Sequence, residues 1–417
     1  MYYFLFVIYF LACCYFITKI KFVQNAGLST KIIFLLFSIK VGVGIIGGLA
    51  SHYLMNDISD MHFYTMQSLI EYDNLIHHPK IFFTDSLPSA YVNGLGDFFG
   101  SSNSFWNDLR NNILIKTMGV FNIFSRGNYY INSLFFNVVG FLGHVALFRV
   151  FKHIYPKQHW AIIVGCFFLP STLYFTSLIG KDIMVFTALS FFCYTLYFSL
   201  EDKCTSKRIF FLILSFLSVL LIRNFIAVIL LPCAVAWFIS SRHKINSLKV
   251  FAVLFLLSFS GIILSQFLSE KHNPLNIVVE KQQAFFSLGI AKSQYQNDTL
   301  YPTIKSFTTS APKALRHSFL SPYPTEFNNI YLNGLSVEII MYLILFLLMI
   351  IFKNDKNNSS NNFIVFALLF TILIFLFTGY ITTNAGAMVR YRSIYFPFLM
   401  IPTLCGINWE KMRRAFL

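Results

Sequence analysis

The sequence predicts an all-α, polytopic integral membrane protein of about eleven transmembrane helices, with two large non-cytoplasmic loops containing short helices. Three observations carry that prediction. Apolar residues make up 56% of the 417 and charged residues 12%, and 51 residues are Phe, more than one soluble core of this size needs. Apolar runs near or above about 18 residues recur from end to end, and a bilayer-spanning helix takes roughly 20. Basic residues collect in every second gap between those runs, the pattern that sets topology in membrane proteins.

In chain order the candidate spans are Tyr2 to Thr18, Ile32 to Met55, Ile131 to Phe148, Ala161 to Ile179, Ile183 to Leu200 and Ile209 to Ile222. They continue with Phe225 to Ile239, Val250 to Phe267, Val337 to Phe352, Phe363 to Tyr380 and Ile394 to Cys405. The sixth and the last are the shortest. The opening run has no basic segment before it and no A-x-A cleavage site, so it reads as a retained helix rather than a signal peptide. The basic gaps hold Lys19, Lys21 and Lys31, then Arg149, Lys152 and Lys157, then Lys203, Lys207 and Arg208. Arg242, Lys244 and Lys249 follow, then Lys353 and Lys356, and finally Lys411, Arg413 and Arg414 at the tail. Placing these inside puts the N-terminus outside and the C-terminus in the cytoplasm.

The whole chain, 1–417, then forms one transmembrane domain whose outer face carries loops at 56–130 and 268–336. Loops of that length usually contain helices of their own and carry function. Ile113 to Phe124 reads as an interfacial helix, and the first loop is acidic, with Asp57, Asp60, Glu71, Asp73, Asp85, Asp97 and Asp108. KNDKNNSSNN, Lys353 to Asn362, is a low-complexity linker, and no internal repeat is visible.

The net charge of +15 follows from 32 Lys and Arg against 17 Asp and Glu; because the excess lies at helix ends, it marks topology rather than a nucleic-acid partner. Seven cysteines lie in apolar runs or a basic gap without CxxC spacing, and His52, His62, His77 and His78 lack metal-ligand spacing, so no metal site is assigned. P-loop and GxSxG elements are missing, which argues against ATP-driven transport and serine hydrolysis, and the GxGxxG spacing at Gly42, Gly44 and Gly47 lies inside an apolar run rather than between a strand and a helix, so it does not mark a nucleotide-sugar lobe.

The informative residues are the charges that break the topology rule. Lys181, Arg223, Arg390 and Arg392 sit at the outer ends of spans, where orientation does not require them and hydrocarbon is close. An anionic ligand would partner them, guanidinium groups being well matched to phosphate oxygens. The alternatives are snorkelling to headgroups or, for Lys181, a local pair with Asp182. Asp60, with Asp57 second, is the candidate catalytic carboxylate: beside cations it would take the proton of an acceptor hydroxyl while they stabilise a departing phosphate. Both also suit the N-cap of a loop helix. Glu326 and Glu338 are candidates for a second carboxylate or a hydroxyl-binding group, and Tyr129, Tyr130, Tyr323 and Tyr331 for stacking on sugar rings or for an interfacial aromatic belt. Lys40, inside the second span, is expected to pack or snorkel.

Asp60 and Tyr64 match the D-x-x-x-Y element that opens the first outer loop in protein-mannosyltransferase-like members of the GT-C superfamily, which the chain resembles. VRYRSIYFP, Val389 to Pro397, is similar to the arginine-bearing approach to the last spans in such enzymes and in O-antigen polymerases of the Wzy type. FLPSTLYFTSLIGKD, Phe168 to Asp182, looks like bacterial membrane proteins of polysaccharide gene clusters. The acidic loop follows the second span here and the first in the mannosyltransferase-like members. The resemblance implies a glycosyltransferase of the bacterial inner membrane, working on its periplasmic face in cell-surface polysaccharide or glycoconjugate synthesis. Its partners would be a polyprenyl phosphate- or diphosphate-linked sugar donor, a glycan, lipid or protein acceptor, and membrane lipids. Asp60 is then catalytic, with Tyr64, Lys181, Arg223, Glu326, Arg390 and Arg392 binding substrate. No cofactor is called for; a divalent metal is compatible with such chemistry, but nothing in the sequence indicates one. Two other classes remain: a transporter or flippase of an anionic lipid-linked saccharide, for which interrupted helices or inverted repeats are expected and neither is visible, and a non-catalytic envelope scaffold.

Overall fold

The computed structural model describes residues 2–54, 60–87, 89, 98, 105–265, 273–287, 293–295, 298–324, 326, 330–354 and 361–416. Its named elements are all helices. An N-terminal hairpin is built from α1 (Tyr2–Lys19), α2 (Lys21–Gln24) and α3 (Thr30–Leu54). A cap of α4 (Asp60–His77), α5 (Pro79–Thr84) and α6 (Phe105–Ser125) follows. The central bundle comprises α7 (Tyr129–Ile154), α8 (His159–Phe167), α9 (Pro170–Phe175), α10 (Lys181–Glu201), α11 (Ser206–Ile222), α12 (Asn224–His243) and α13 (Ser247–Ser265). A second cap holds α14 (Pro274–Ser287) and α15 (Ile304–Leu320); the chain finishes with α16 (Ile330–Ile351), α17 (Asn362–Ile381), α18 (Ala385–Ser393), α19 (Phe396–Gly406) and α20 (Trp409–Phe416).

Among the described residues, eight helices are long and apolar enough to cross a membrane. The protein is therefore a polytopic integral membrane protein. Those eight account for all the expected spans but the fourth, sixth and last. The fourth breaks after Phe167 and restarts at Pro170, a residue that fits the first turn of a helix and not its interior. The sixth is α11, 17 residues long, and the last is the 11-residue α19, entered through the separate α18. The expectation of uninterrupted helices is thus overturned: α8–α9 and α18–α19 are both broken, and they pack against each other.

Helix starts follow local chemistry. Asn128 accepts from the backbone N–H groups of Tyr130 and Ile131, and Thr205, Asn361 and Asn384 cap α11, α17 and α18 in the same way. Ile113–Phe124, expected as one helix, is the C-terminal half of α6, which packs along α4 through Asn122 and Ser68, 3.0 Å from Nδ2 to the backbone oxygen.

Between helices surrounded by lipid the hydrophobic drive is weak, and close packing replaces it. Gly143 shows how: a Cβ there would lie 2.8 Å from Cα of Thr187, so only glycine lets α7 and α10 approach this closely. Phenylalanine fills much of the rest, with Trp237 stacked on Phe366 at 4.8 Å between α12 and α17. Phe4, Leu11 and Phe16 on α1, Leu256 and Leu264 on α13 and Leu347 and Ile350 on α16 stay exposed, an apolar belt suited to acyl chains.

The bundle has two chemically distinct poles. At one, Lys152 donates to the Ala26 carbonyl (2.8 Å), Ser247 to Asn362 (2.9 Å), and Asn354 to the Gly406 carbonyl (2.9 Å), drawing the basic gaps together. At the other, Arg223 bonds Asp182, joining the end of α11 to the start of α10. Since Arg208, opening α11, donates to the Phe198 carbonyl near the far end of α10 at 2.5 Å, α11 runs nearly the full height of its 21-residue neighbour. Lys40 packs within the bundle, 1% exposed, its Nζ donating to the carbonyl and hydroxyl oxygens of Thr176 at 2.5 and 3.1 Å. It thereby anchors the C-terminal end of α9, just before the segment that leads to Lys181.

Candidate functional site

Four separate parts of the chain meet at the pole opposite the basic gaps. On α4, Asp60 and Tyr64 are one helical turn apart and share a face. The first turn of α10 supplies Lys181 and Asp182; the α11–α12 junction supplies Arg223; α18 supplies Arg390 and Tyr391. Together with Arg110 of α6 and Lys281 of α14 they enclose a cavity of about 430 Å³.

Asp182 is the keystone. Only 4% of its side chain is exposed, and it accepts hydrogen bonds from Arg223 Nη2 and, at 2.5 Å, from Arg390 Nε. Arg390 uses a second nitrogen, Nη1, to reach Asp60 Oδ2 at 2.7 Å. One guanidinium therefore joins a buried carboxylate to one that is 60% exposed. Arg223 lies over the Tyr391 ring, its Cζ 4.3 Å from the ring centroid, a cation–π contact that helps hold the guanidinium in place. The alternative in which Lys181 pairs locally with Asp182 is not what forms: Asp182 turns to the two arginines.

Two donors on this wall are unspent. Arg223 is 7% exposed, and its Nη1 has no hydrogen-bond partner among the described residues. The Lys181 ammonium makes no hydrogen bond or ion pair among them either. Arg110, Lys181, Arg223, Lys281 and Arg390 set five cations against Asp60 in the wall and Asp182 beneath it. A buried donor without an acceptor is costly, about 1–3 kcal/mol, so this arrangement favours an anion that supplies several acceptors at once. Burial, with the Asp60 carboxylate beside it, pushes the Tyr64 hydroxyl up to about 12, leaving it a neutral donor at physiological pH.

No protein-family model, curated protein or solved structure matches this chain. The functional reading therefore rests on the residues themselves.

Of the residues expected to act together, Asp60, Tyr64, Lys181, Arg223 and Arg390 do meet; Asp57 lies outside the described residues. Arg392 is elsewhere. It is fully buried on the opposite side of α18, where it donates to the backbone oxygens of Ser321 and, at 3.3 Å, Ser318, and lies over the Phe396 ring. Two residues along a helix is a rotation of roughly 200°, so a pair at that spacing faces opposite sides of α18. Glu326 is likewise absent from the cavity wall: it accepts from the Ser321 hydroxyl (2.5 Å) and the Tyr323 backbone N–H (2.8 Å), closing a turn. Glu338 accepts from the backbone and hydroxyl of Ser171, both at 2.9 Å, which secures the start of α9.

Asp182, Arg110, Lys281 and Tyr391 were not singled out by sequence. Arg110 and Lys281 carry the same signal as Lys181, a cation in a gap that the expected topology places outside. Arg110 also donates to the Phe98 carbonyl, as does Asn224, both at 2.7 Å, which ties the first cap to the α11–α12 junction. Among the described residues no group of three or more His, Cys, Asp or Glu is placed to hold a metal ion.

Proposed function

We propose that this protein is a membrane glycosyltransferase that takes sugar from a polyprenyl phosphate or diphosphate carrier and passes it to a glycan, lipid or protein acceptor in surface polysaccharide synthesis. The observation that carries the reading is one cavity in which unspent cationic donors, Lys181 and Arg223 Nη1, face a carboxylate, Asp60. A phosphate group would satisfy the donors, and competition for Arg390 Nη1 would release Asp60. The freed carboxylate then takes the proton of an acceptor hydroxyl as its oxygen attacks the anomeric carbon. The bond from that carbon to the phosphate oxygen breaks, its electron pair leaves with the phosphate, and fixed cations stabilise the developing charge. Tyr64, held neutral, donates to a sugar or phosphate oxygen.

The sidedness belongs to the same proposal. Basic gaps at the opposite pole argue that the cavity opens outside the cytoplasm, with the N-terminus out and the C-terminus in, in a bacterial inner membrane. That orientation needs an odd number of crossings. Counting α8–α9, α11 and the α18–α19 pair with the eight long helices gives it.

A second reading has one observation in its favour. Paired interrupted helices are a feature of transporters, so a flippase moving an anionic lipid-linked saccharide would also place cations here. The deciding experiment deletes the gene, reads surface polysaccharide on gels, and attempts rescue with Asp60→Asn and Arg390→Ala at matched protein levels. Loss of product with accumulation of lipid-linked sugar on the outer leaflet supports transfer. Accumulation on the inner leaflet supports flipping, and full rescue by both variants removes the site.

A further inference from the structure

At the basic pole, far from the cavity described above, a second cavity of about 740 Å³ opens between the α1–α2 junction, α7, α10 and α11. Its wall is hydrocarbon: Ile20, Phe22, Leu142, Phe191, Tyr194 and Phe211. Its rim is the short gap between α10 and α11, where Lys203, Lys207 and Arg208 lie together with Asp202. The rim charges differ in how they are used. Arg208 is consumed within the protein, bonding Asp202 Oδ2 at 2.9 Å and the Lys203 carbonyl at 2.8 Å. The Lys203 and Lys207 ammonium groups make no hydrogen bond or ion pair among the described residues. Behind the wall, Arg149 is covered by the rings of Phe22 and Tyr194 at 4.8 and 4.9 Å, which stiffens this side of the groove.

We propose that this cavity is a binding site for an anionic diacyl phospholipid, one acyl chain lying along the apolar wall and the phosphate held between the Lys203 and Lys207 ammonium groups. Charge complementarity selects the occupant. A groove between α10, α11 and α12, lined by Phe192, Leu212, Phe216 and Leu231, offers hydrocarbon with no charged residue in its wall, and so has no means of choosing a headgroup. The 740 Å³ cavity joins hydrocarbon to two unspent cations at the height where a headgroup would sit, and each such cation near a bilayer surface favours anionic lipid several-fold. The lipid would brace α1 and α2 against α10 and α11, which otherwise meet across an open groove.

The test is native mass spectrometry of the full-length protein released from nanodiscs holding phosphatidylglycerol, phosphatidylcholine and polyprenyl phosphate in equal amounts. Wild type is expected to retain phosphatidylglycerol over phosphatidylcholine by on the order of tenfold. Lys203→Ala with Lys207→Ala should abolish the preference, while Arg413→Ala with Arg414→Ala, the same loss of charge at the tail, should leave it intact. Leu142→Trp, which fills the groove and keeps the rim, should reduce retention of both phospholipids. An undiminished preference in the lysine double variant would overturn the site. So would equal loss in the tail variant, because net charge alone would then be the cause. Preferential capture of polyprenyl phosphate would overturn the choice of a diacyl lipid.

Discussion

Arg390 and Arg392 stand two residues apart on one nine-residue helix and live in different environments. Arg390 is 28% exposed at the cavity, with a carboxylate on either side. Arg392 is fully buried, its acceptors are backbone carbonyls, and its Nε and Nη2 have no hydrogen-bond partner among the described residues. The same side chain thus serves as a reachable charge on one face of α18 and as a buried tether to the second cap on the other. What separates them is the side of α18 they occupy: Arg390 borders the 430 Å³ cavity and Arg392 does not.

The sharpest way to test that division is Arg390→Ala. If Arg390 stabilises a leaving phosphate, product should fall by about 100-fold or more at matched protein level, read from surface polysaccharide or from sugar transfer by purified protein. Because the change also strips a partner from buried Asp182, at a cost of about 3–5 kcal/mol, it needs a companion. Arg390→Ala combined with Asp182→Asn should recover protein abundance but not product. Recovery of both would make Arg390 another tether.

Lys181→Gln should act more gently and in one dimension only. With no partner to lose, the variant keeps its melting temperature, whereas affinity for a soluble polyprenyl-diphosphate analogue drops about tenfold, measurable by titration. A fall in stability without a fall in affinity would move Lys181 to the structural side. Arg392→Met is its mirror: about 1–3 kcal/mol of stability lost as the carbonyls of Ser318 and Ser321 go unpaired, with unchanged product per folded molecule. A proportionally greater loss of product than of protein would contradict the division.

The sequence made the bundle legible because hydropathy is written in runs of residues; Lys181, Arg223 and Arg390 stand out in it because they break a sidedness rule, and Asp60 and Tyr64 because they form a D-x-x-x-Y element where the first long loop opens. Its failures have specific causes. The fourth apolar run is long enough to pass for one helix, and only Pro170 within it marks the break into α8 and α9. Arg392 was grouped with Arg390 because both break the rule, but a count of charges ignores helical phase. Asp182 was read through its neighbour Lys181, although its partners come from positions 223 and 390, separations no local pattern encodes. Arg110 and Lys281 sit in the two long loops between apolar runs, where cations are common, and only the fold directs them to one cavity.

The smallest expected effect concerns pH and the tethered side of α18. His317 lies on α15 one residue before Ser318, 5% exposed, its ring stacked on Tyr295 at 4.6 Å. Burial, and after it the neighbouring Arg316, lowers its pKa below the ordinary 6.5, with Glu326 and Asp298 opposing. The folded state therefore prefers the neutral ring. Stability from this group is complete above about pH 6.5, where both folded and unfolded forms are neutral, and it is lost as pH falls from there toward the folded pKa, since the unfolded chain takes up the proton first. Melting temperature in detergent should drop by about 1–2 °C more between pH 7.5 and 5.5 in wild type than in His317→Gln. Product per folded molecule should keep the same pH profile in both, because His317 belongs with Arg392 and not with the cavity. A matching shift in the activity profile would mean that the two faces of α18 are coupled, and the contrast between its arginines would then be one of degree.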